Sequence, residues 1–172
     1  QHEVVICVPS GNFGNITAGI FGNEMGLPVK RFIAANNAND IFYQYLKSGK
    51  YEPKPSKQTI ANAMDVGSRI SGATYTDAQI METMRQCHKD TGYTLDPHGA
   101  CGYRALKELL QPGETGVFLE TAHPAKFKEK VDAILNGNIQ IPERLANFMR
   151  GRKQSIEMSK DFNDFKDFLM KV

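Results

Sequence analysis

Two short stretches carry the residue types that could do chemistry. The first is Ser10-Gly11-Asn12-Phe13-Gly14-Asn15, flanked by an apolar run and a helical pattern. Glycines let a backbone approach an anion closely, because no Cβ intervenes, and a helix start offers unpaired N–H groups and about half a positive charge. Ser10 and Asn12 add side-chain donors. The loop is neither a Walker A motif, since no Gly-Lys-[Ser/Thr] follows, nor GxGxxG, since Gly11 and Gly14 are three apart. Its plainer reading is a tight turn with Asn15 as helix cap. The second stretch is Thr121-Ala122-His123-Pro124. Thr121 could offer its hydroxyl to a ring nitrogen and His123 could transfer a proton; equally, Thr121 could cap a helix and His123 be structural.

Weaker candidates surround these. Asn36, Asn37, Asn39 and Asp40 either line the same crevice or cap a helix. Asp96-Pro97-His98-Gly99-Ala100 reads as a turn and helix start that could face an anion. His98-x-x-Cys101 is half of a zinc motif for which nothing supplies the other half, so no metal site is expected.

The elements that must position these residues alternate. Val4–Val8 is apolar throughout and β-branched, as in a strand covered on both faces. A helix capped by Asn15 then runs to about Met25, closed by Gly26 and Pro28. Val29–Ala35 reads as a second strand, and Asp40 opens a helix with Ile41, Phe42, Tyr45 and Leu46 on its apolar stripe. Thr76-x-x-Gln79 is a capping box before a helix of about 15 residues ending near Gly92, with Ser71–Thr76 as its lead-in. His98–Leu110 is a further helix, Gly116–Glu120 a third core strand, and Pro124 starts a helix through Leu135. Glu143–Met149 and Asp161–Met170 read as amphipathic end helices. This rhythm predicts an α/β fold: a doubly wound, mostly parallel sheet with crossover helices. Ligands of such sheets bind beyond the carboxyl ends of the strands, where both chemical stretches fall. The division expected is an α/β domain over residues 1–140 and a helical extension over 141–172.

Composition narrows the function. The 172 residues carry 21 Lys plus Arg against 19 Asp plus Glu, a net charge of only +2. Lys126, Lys128 and Lys130 alternate with other residues as on a solvated helix face, so no nucleic-acid stripe exists. No run of about 18 apolar residues predicts a membrane span. Cys7, Cys87 and Cys101, odd in number and without a CxxC, fit reduced, buried thiols of a cytoplasmic protein. The sequence opens almost at once on a core strand, so the expectation is that it begins inside a fold.

Longer stretches resemble a known family. Val8–Asn15, Thr17-Ala18-Gly19, Gly26–Asn36, Asn62–Gly67, Asp96–Ala100 and Thr121–Phe127 are similar to threonine synthases of the microbial and fungal type, in the family's order. The resemblance implies the fold type II architecture of pyridoxal-phosphate enzymes, incomplete here, followed by C-terminal helices. It implies pyridoxal 5'-phosphate as cofactor, its phosphate cradled by Ser10, Gly11, Asn12, Phe13, Gly14 and Asn15, with Thr121 approaching the pyridine nitrogen. It implies O-phosphohomoserine as substrate and a β,γ-replacement yielding threonine and phosphate. The family's Schiff-base lysine lies well upstream of the phosphate loop, so no lysine here is nominated as catalytic and this portion alone would be inactive. The resemblance breaks at Gly67–Ser68, where relatives continue with further residues; the expectation is a chain discontinuity, the alternative a true deletion. Two other functions stay open: a related phospho-lyase releasing a 2-oxo acid and ammonia, and a non-catalytic module binding a phosphate ligand.

Overall fold

The computed structural model describes residues 3–9, 14–52, 70–152 and 154–171. Ser10–Phe13 and the Gly67–Ser68 junction lie outside them. The chain divides into two compact units, Gln1–Gln140 and Ile141–Val172.

The first unit is built on four parallel strands. In chain order its elements are β1 (Glu3–Pro9), α1 (Gly14–Glu24), β2 (Val29–Asn36), α2 (Ile41–Ser48), β3 (Ile70–Thr74), α3 (Asp77–Thr91), α4 (Pro97–Leu109), β4 (Glu114–Phe118), a 3₁₀ turn (Pro124–Phe127) and α5 (Lys128–Leu135). The strand order is β3-β2-β1-β4, so β1, the most apolar strand, is interior and paired on both sides. The sheet grows outward from β1 through β2 to β3; the chain then crosses back to place β4 on the other side of β1. The order therefore reverses between β1 and β4, which is where open parallel sheets bind ligands.

Side-chain alternation in the strands supplies a core on each face. On one face Val8, Phe32 and Ala34 pack with Ile16 of α1 and Phe42 of α2. On the other Val5, Cys7, Ile33 and Ala35 meet Ile80, Met84, Leu95, Ala105 and Val131, from α3, α4, α5 and the loop between α3 and α4. This is the doubly wound arrangement expected. All three cysteines are free and buried. Burial pushes the Cys7 thiol up to about 12, and that of Cys101 up as well, so both are inert at neutral pH. Cys101 Sγ donates to Pro97 O at 3.5 Å, a helix-internal contact.

Several boundaries differ from the sequence reading. Asn15 is not the cap of α1, because the helix already begins at Gly14. β3 was not expected: Ser71–Thr76 is no mere lead-in, since residues 70–74 pair with β2 from Phe32 to Asn36. Ser71 and Gly72 hid it. A Cβ at Gly72 would stand 2.8 Å from Leu46 Cδ1, so α2 covers this strand only because the residue is glycine. The third predicted strand lies two residues earlier, at Glu114–Phe118. The Pro112-Gly113 turn, with Gly113 at φ +85°, starts it at once, with Glu114 N donating to Gln111 O. Leu119 N still donates to Cys7 O at 3.0 Å, and Glu120 then leaves the sheet. The helix from Pro124 is a 3₁₀ turn first and α-helical only from Lys128. Lys128 is not simply solvated: its ammonium bonds Asp132, Asn138 and Ile139 O, bracing the segment after α5. Lys126 and Lys130 are exposed.

In the second unit α6 (Glu143–Arg150) and α7 (Phe162–Leu169) form where the amphipathic patterns lie. Asp161 caps α7 by accepting from Asn163 N at 2.7 Å. Neither helix has a buried residue. No helix among the described residues is long and apolar enough to cross a membrane.

Candidate functional site

The carboxyl ends of the strands hold polar groups that are unpaired among the described residues. α1 starts five residues after the last core residue of β1, with no acidic side chain in its first turn to neutralise its positive end. A Cβ built on Gly14 meets no atom of the described residues within 4 Å. Asn36, the last residue of β2, is 1% exposed, and neither its amide nitrogen nor its amide oxygen has a partner among the described residues. Orphaned buried amides are uncommon and mark a missing partner such as water or ligand.

Across the reversal point, the chain after β4 forms one wall of a cavity of about 690 Å³, lined by Glu120, Thr121, Ala122, His123 and Pro124 with Tyr93, Thr94, Ile139 and Gln140. That volume lies within the range of small-molecule sites. Thr121 is exposed to this space and its hydroxyl bonds no described residue. His123 takes the structural alternative: its Nδ1 accepts from Ala125 N at 3.1 Å and caps the 3₁₀ turn. The Lys128–Asp132 brace, with Asp132 Oδ1 accepting from Ile139 N at 2.8 Å, fixes the opposite rim.

The start of α4 closes the wall from behind. Asp96 is fully buried and caps the helix, its Oδ1 accepting from His98 N at 2.7 Å and lying 2.9 Å from His98 Nδ1. The His98 ring in turn lies 5.2 Å from that of Phe127. This helix start is therefore not open to a ligand anion; the protein's own carboxyl groups occupy it. Glu120 Oε1 accepts from Asp96 N at 2.7 Å. Burial pushes the Glu120 carboxyl up to about 8, aided by the charge of Asp96. Burial also opposes charge on Asp96, but the His98 hydrogen bonds outweigh it and hold that carboxyl below its ordinary value. Sequence reasoning missed Glu120 by counting it as the end of the strand. The signal available was a lone carboxylate closing an otherwise apolar Gly-Val-Phe-Leu run.

Of the residues expected to hold a cofactor, the structure describes Gly14, Asn15 and Thr121, flanking the reversal point from β1 and from β4; Ser10, Gly11, Asn12 and Phe13 lie outside the described residues. The start of α1, the Asn36 amide and the Thr121 hydroxyl follow or end β1, β2 and β4 at their carboxyl ends, and among the described residues neither of these two side chains has a partner. They fit a group with an anionic phosphate and a heteroaromatic ring.

A family model described as pyridoxal-phosphate dependent enzyme matches residues 3–121, and one described as threonine synthase, C-terminal, matches residues 99–169. The chain is 41% identical to a threonine synthase of Haemophilus influenzae, covering 99% of this chain and 44% of that protein. It is 44% identical to one of Escherichia coli, covering 85% of this chain and 38% of that protein. Among solved structures it matches a threonine synthase from Escherichia coli with a TM-score of 0.87 and 40% identity, covering 99% of this chain and 44% of that one. A pyridoxal-phosphate-bound threonine synthase from Brucella melitensis matches with a TM-score of 0.82 and 25% identity, over 98% and 46%. The chain thus spans less than half the length of these relatives. The Haemophilus alignment runs over 190 positions, more than the 172 residues here, so that relative carries additional residues within the matched span.

Proposed function

The chain belongs to the pyridoxal-phosphate-dependent enzyme family, and on that premise we propose that it carries the phosphate loop and ring-facing wall of a threonine synthase, which converts O-phospho-L-homoserine and water to L-threonine and phosphate. The observation that carries this reading is the reversal of strand order between β1 and β4, with the start of α1 on one side and Thr121 on the other. Similarity to threonine synthases along nearly the whole chain supports the choice within the family.

In this reading Ser10 to Asn15 hold the cofactor phosphate with backbone N–H groups, helped by the positive end of α1. The Asn36 amide, at the carboxyl end of β2, supplies a further polar contact. Thr121 presents its hydroxyl to the ring nitrogen. A hydroxyl there, unlike a carboxylate, leaves that nitrogen weakly protonated and so tempers electron withdrawal. When bound, the cofactor supplies the electron sink that makes protons next to the substrate's amino-bearing carbon removable. The wall from Glu120 to Pro124 excludes bulk water from one side. No lysine of this chain is assigned a catalytic role. A cytoplasmic location and a single small-molecule substrate fit the same reading.

The test is Gly14→Val in the full-length protein, with products assayed as threonine against 2-oxobutyrate. The side chain has room, so the fold should survive while cofactor affinity falls about 10-fold or more, the worth of about one charge-assisted hydrogen bond. Unchanged cofactor affinity, or 2-oxobutyrate as the product, would count against the proposal.

A further inference from the structure

We propose that Glu120 and Asp96 share a single proton, and that this acid–carboxylate pair is the positioning element fastening the Thr121–His123 wall to the start of α4. The inference deepens the proposed function, because the wall it holds is the one bearing Thr121.

The geometry leaves one proton to be placed. Glu120 Oε1 is taken by the N–H of Asp96, and Asp96 Oδ1 by His98. The remaining oxygens, Asp96 Oδ2 and Glu120 Oε2, are both buried and have no hydrogen-bond partner among the described residues. The Asp96 N–H on Glu120 Oε1 brings the two residues into direct contact, and a bond between their carboxyl groups requires that one of them be an acid. Two adjacent buried carboxylates would repel and each would forfeit its hydration, so a pair of this kind holds one proton and one negative charge. The proton belongs on Glu120. Asp96 has the His98 N–H, the His98 ring and the positive start of a 13-residue helix to stabilise its charge, whereas Glu120 has one backbone donor.

Sterics make the same assignment of place. A Cβ on Gly99 would overlap the Glu120 carboxyl group, so the first turn of α4 is shaped to receive it. Among the described residues, the other titratable groups facing the pair are Tyr93, His98 and Cys101, with His123 on the same cavity. No lysine or arginine among them bonds either carboxyl. Loss of the proton would leave two charges repelling across the joint, with one backbone donor on the Glu120 side to offset the new one.

The consequence is a wall that loosens in mild alkali. A carboxyl whose proton affinity is raised by folding contributes stability that is fully present below its ordinary range and lost as pH rises through about 8. The test uses the full-length protein without cofactor, its melting temperature followed from about pH 6 to about pH 9.5, alongside Glu120→Gln and Glu120→Ala. Glutamine keeps a donor toward Asp96 and cannot ionise. Wild type should lose melting temperature across that range relative to Glu120→Gln, whose profile should lack this fall; Glu120→Ala should be low throughout. Pyridoxal-phosphate affinity should follow, with Glu120→Gln within about 2-fold of wild type at the acid end and several-fold tighter at the alkaline end. In wild type, the carbon-13 carboxyl signal of Glu120 should titrate well above the ordinary carboxylate range. Parallel melting profiles for wild type and Glu120→Gln, or an ionised Glu120 signal at pH 6, would overturn the proposal. If no variant binds the cofactor, the proposed function fails while the melting and carbon-13 results still decide this inference.

Discussion

The two ends of the sheet treat charge in opposite ways. At the amino end, Glu114 at the start of β4 has a side chain sealed from solvent, yet every oxygen is used. Arg31 of β2 donates through Nη2 at 2.6 Å and Nε at 3.1 Å, Gln111 N donates at 2.9 Å, and Lys30 stands 3.2 Å away. Arg31 also donates to Leu109 O, so one guanidinium ties β2, β4 and the end of α4 together. At the carboxyl end the Asn36 amide, the Thr121 hydroxyl and one oxygen each of Asp96 and Glu120 have no partner among the described residues. Among the described residues the chain pairs its own charges at the amino end and keeps uncompensated polar groups at the carboxyl end, where the proposed ligand or a proton would complete them.

Breaking the amino-end clamp should produce the largest loss of stability with the least functional change. Arg31→Ala strips Glu114 of its main partner, and stranding a buried charge is among the most damaging single changes. The Arg31 hydrogen bonds hold the Glu114 carboxyl down to about 2. Such a group contributes stability present above the ordinary carboxylate range and lost as pH falls toward about 2. Arg31→Ala should therefore melt well below wild type at neutral pH, with the gap closing as pH drops through that window, while cofactor affinity stays put. A gap that persists unchanged at low pH would mean the clamp is not what Arg31 provides.

An intermediate effect is expected where α4 meets the site. Gly99→Ala forces its new methyl into the Glu120 carboxyl, an overpacking cost of about 1–3 kcal/mol. Because the clash is with one side chain, the cost should shrink to near zero in a Glu120→Ala background, a coupling that a double-mutant cycle by chemical denaturation measures. Equal costs in both backgrounds would separate Gly99 from Glu120.

The sequence made the interior strands, the capping box and both end helices legible, because each rests on local pattern. Val4–Val8 is apolar on both faces, and Thr76 and Gln79 form the reciprocal cap expected, with Thr76 N donating to Gln79 Oε1 at 2.9 Å. The pattern failed where a distant partner decides. β3 contains Gly72 because α2 presses on it, and β4 starts early because Arg31 and the Gly113 turn hold Glu114 in register. Glu120 was hidden for the same reason: its neighbours in space, Asp96 and Gly99, lie more than 20 residues away in sequence. The resemblance to threonine synthases reached further than periodicity, since it implied a cofactor and a reaction that no spacing alone discloses. The phosphate loop was legible as a motif, although its first four residues lie outside the described structure.

The smallest expected change in stability falls on the residue that most sharply separates the two ends. Asn36 is as buried as Glu114, but none of its amide atoms is bonded to a described residue. An amide buried in this way costs about 1–3 kcal/mol relative to one with partners. Leucine has a similar volume and no polar atoms, so Asn36→Leu removes that cost without opening a large cavity. The cofactor-free protein should then melt at the wild-type temperature or slightly above it, the reverse of what Arg31→Ala does. If the amide is kept for a ligand, the same substitution should weaken pyridoxal-phosphate or inorganic-phosphate binding by about 10-fold, the worth of about one hydrogen bond to a charged group. The comparison breaks if Asn36→Leu melts more than about 2 kcal/mol below wild type, for then the amide has structural partners after all. Ligand affinity unchanged at an unchanged melting temperature would mean that the carboxyl end tolerates an idle polar group, and that burial without partners does not mark this site.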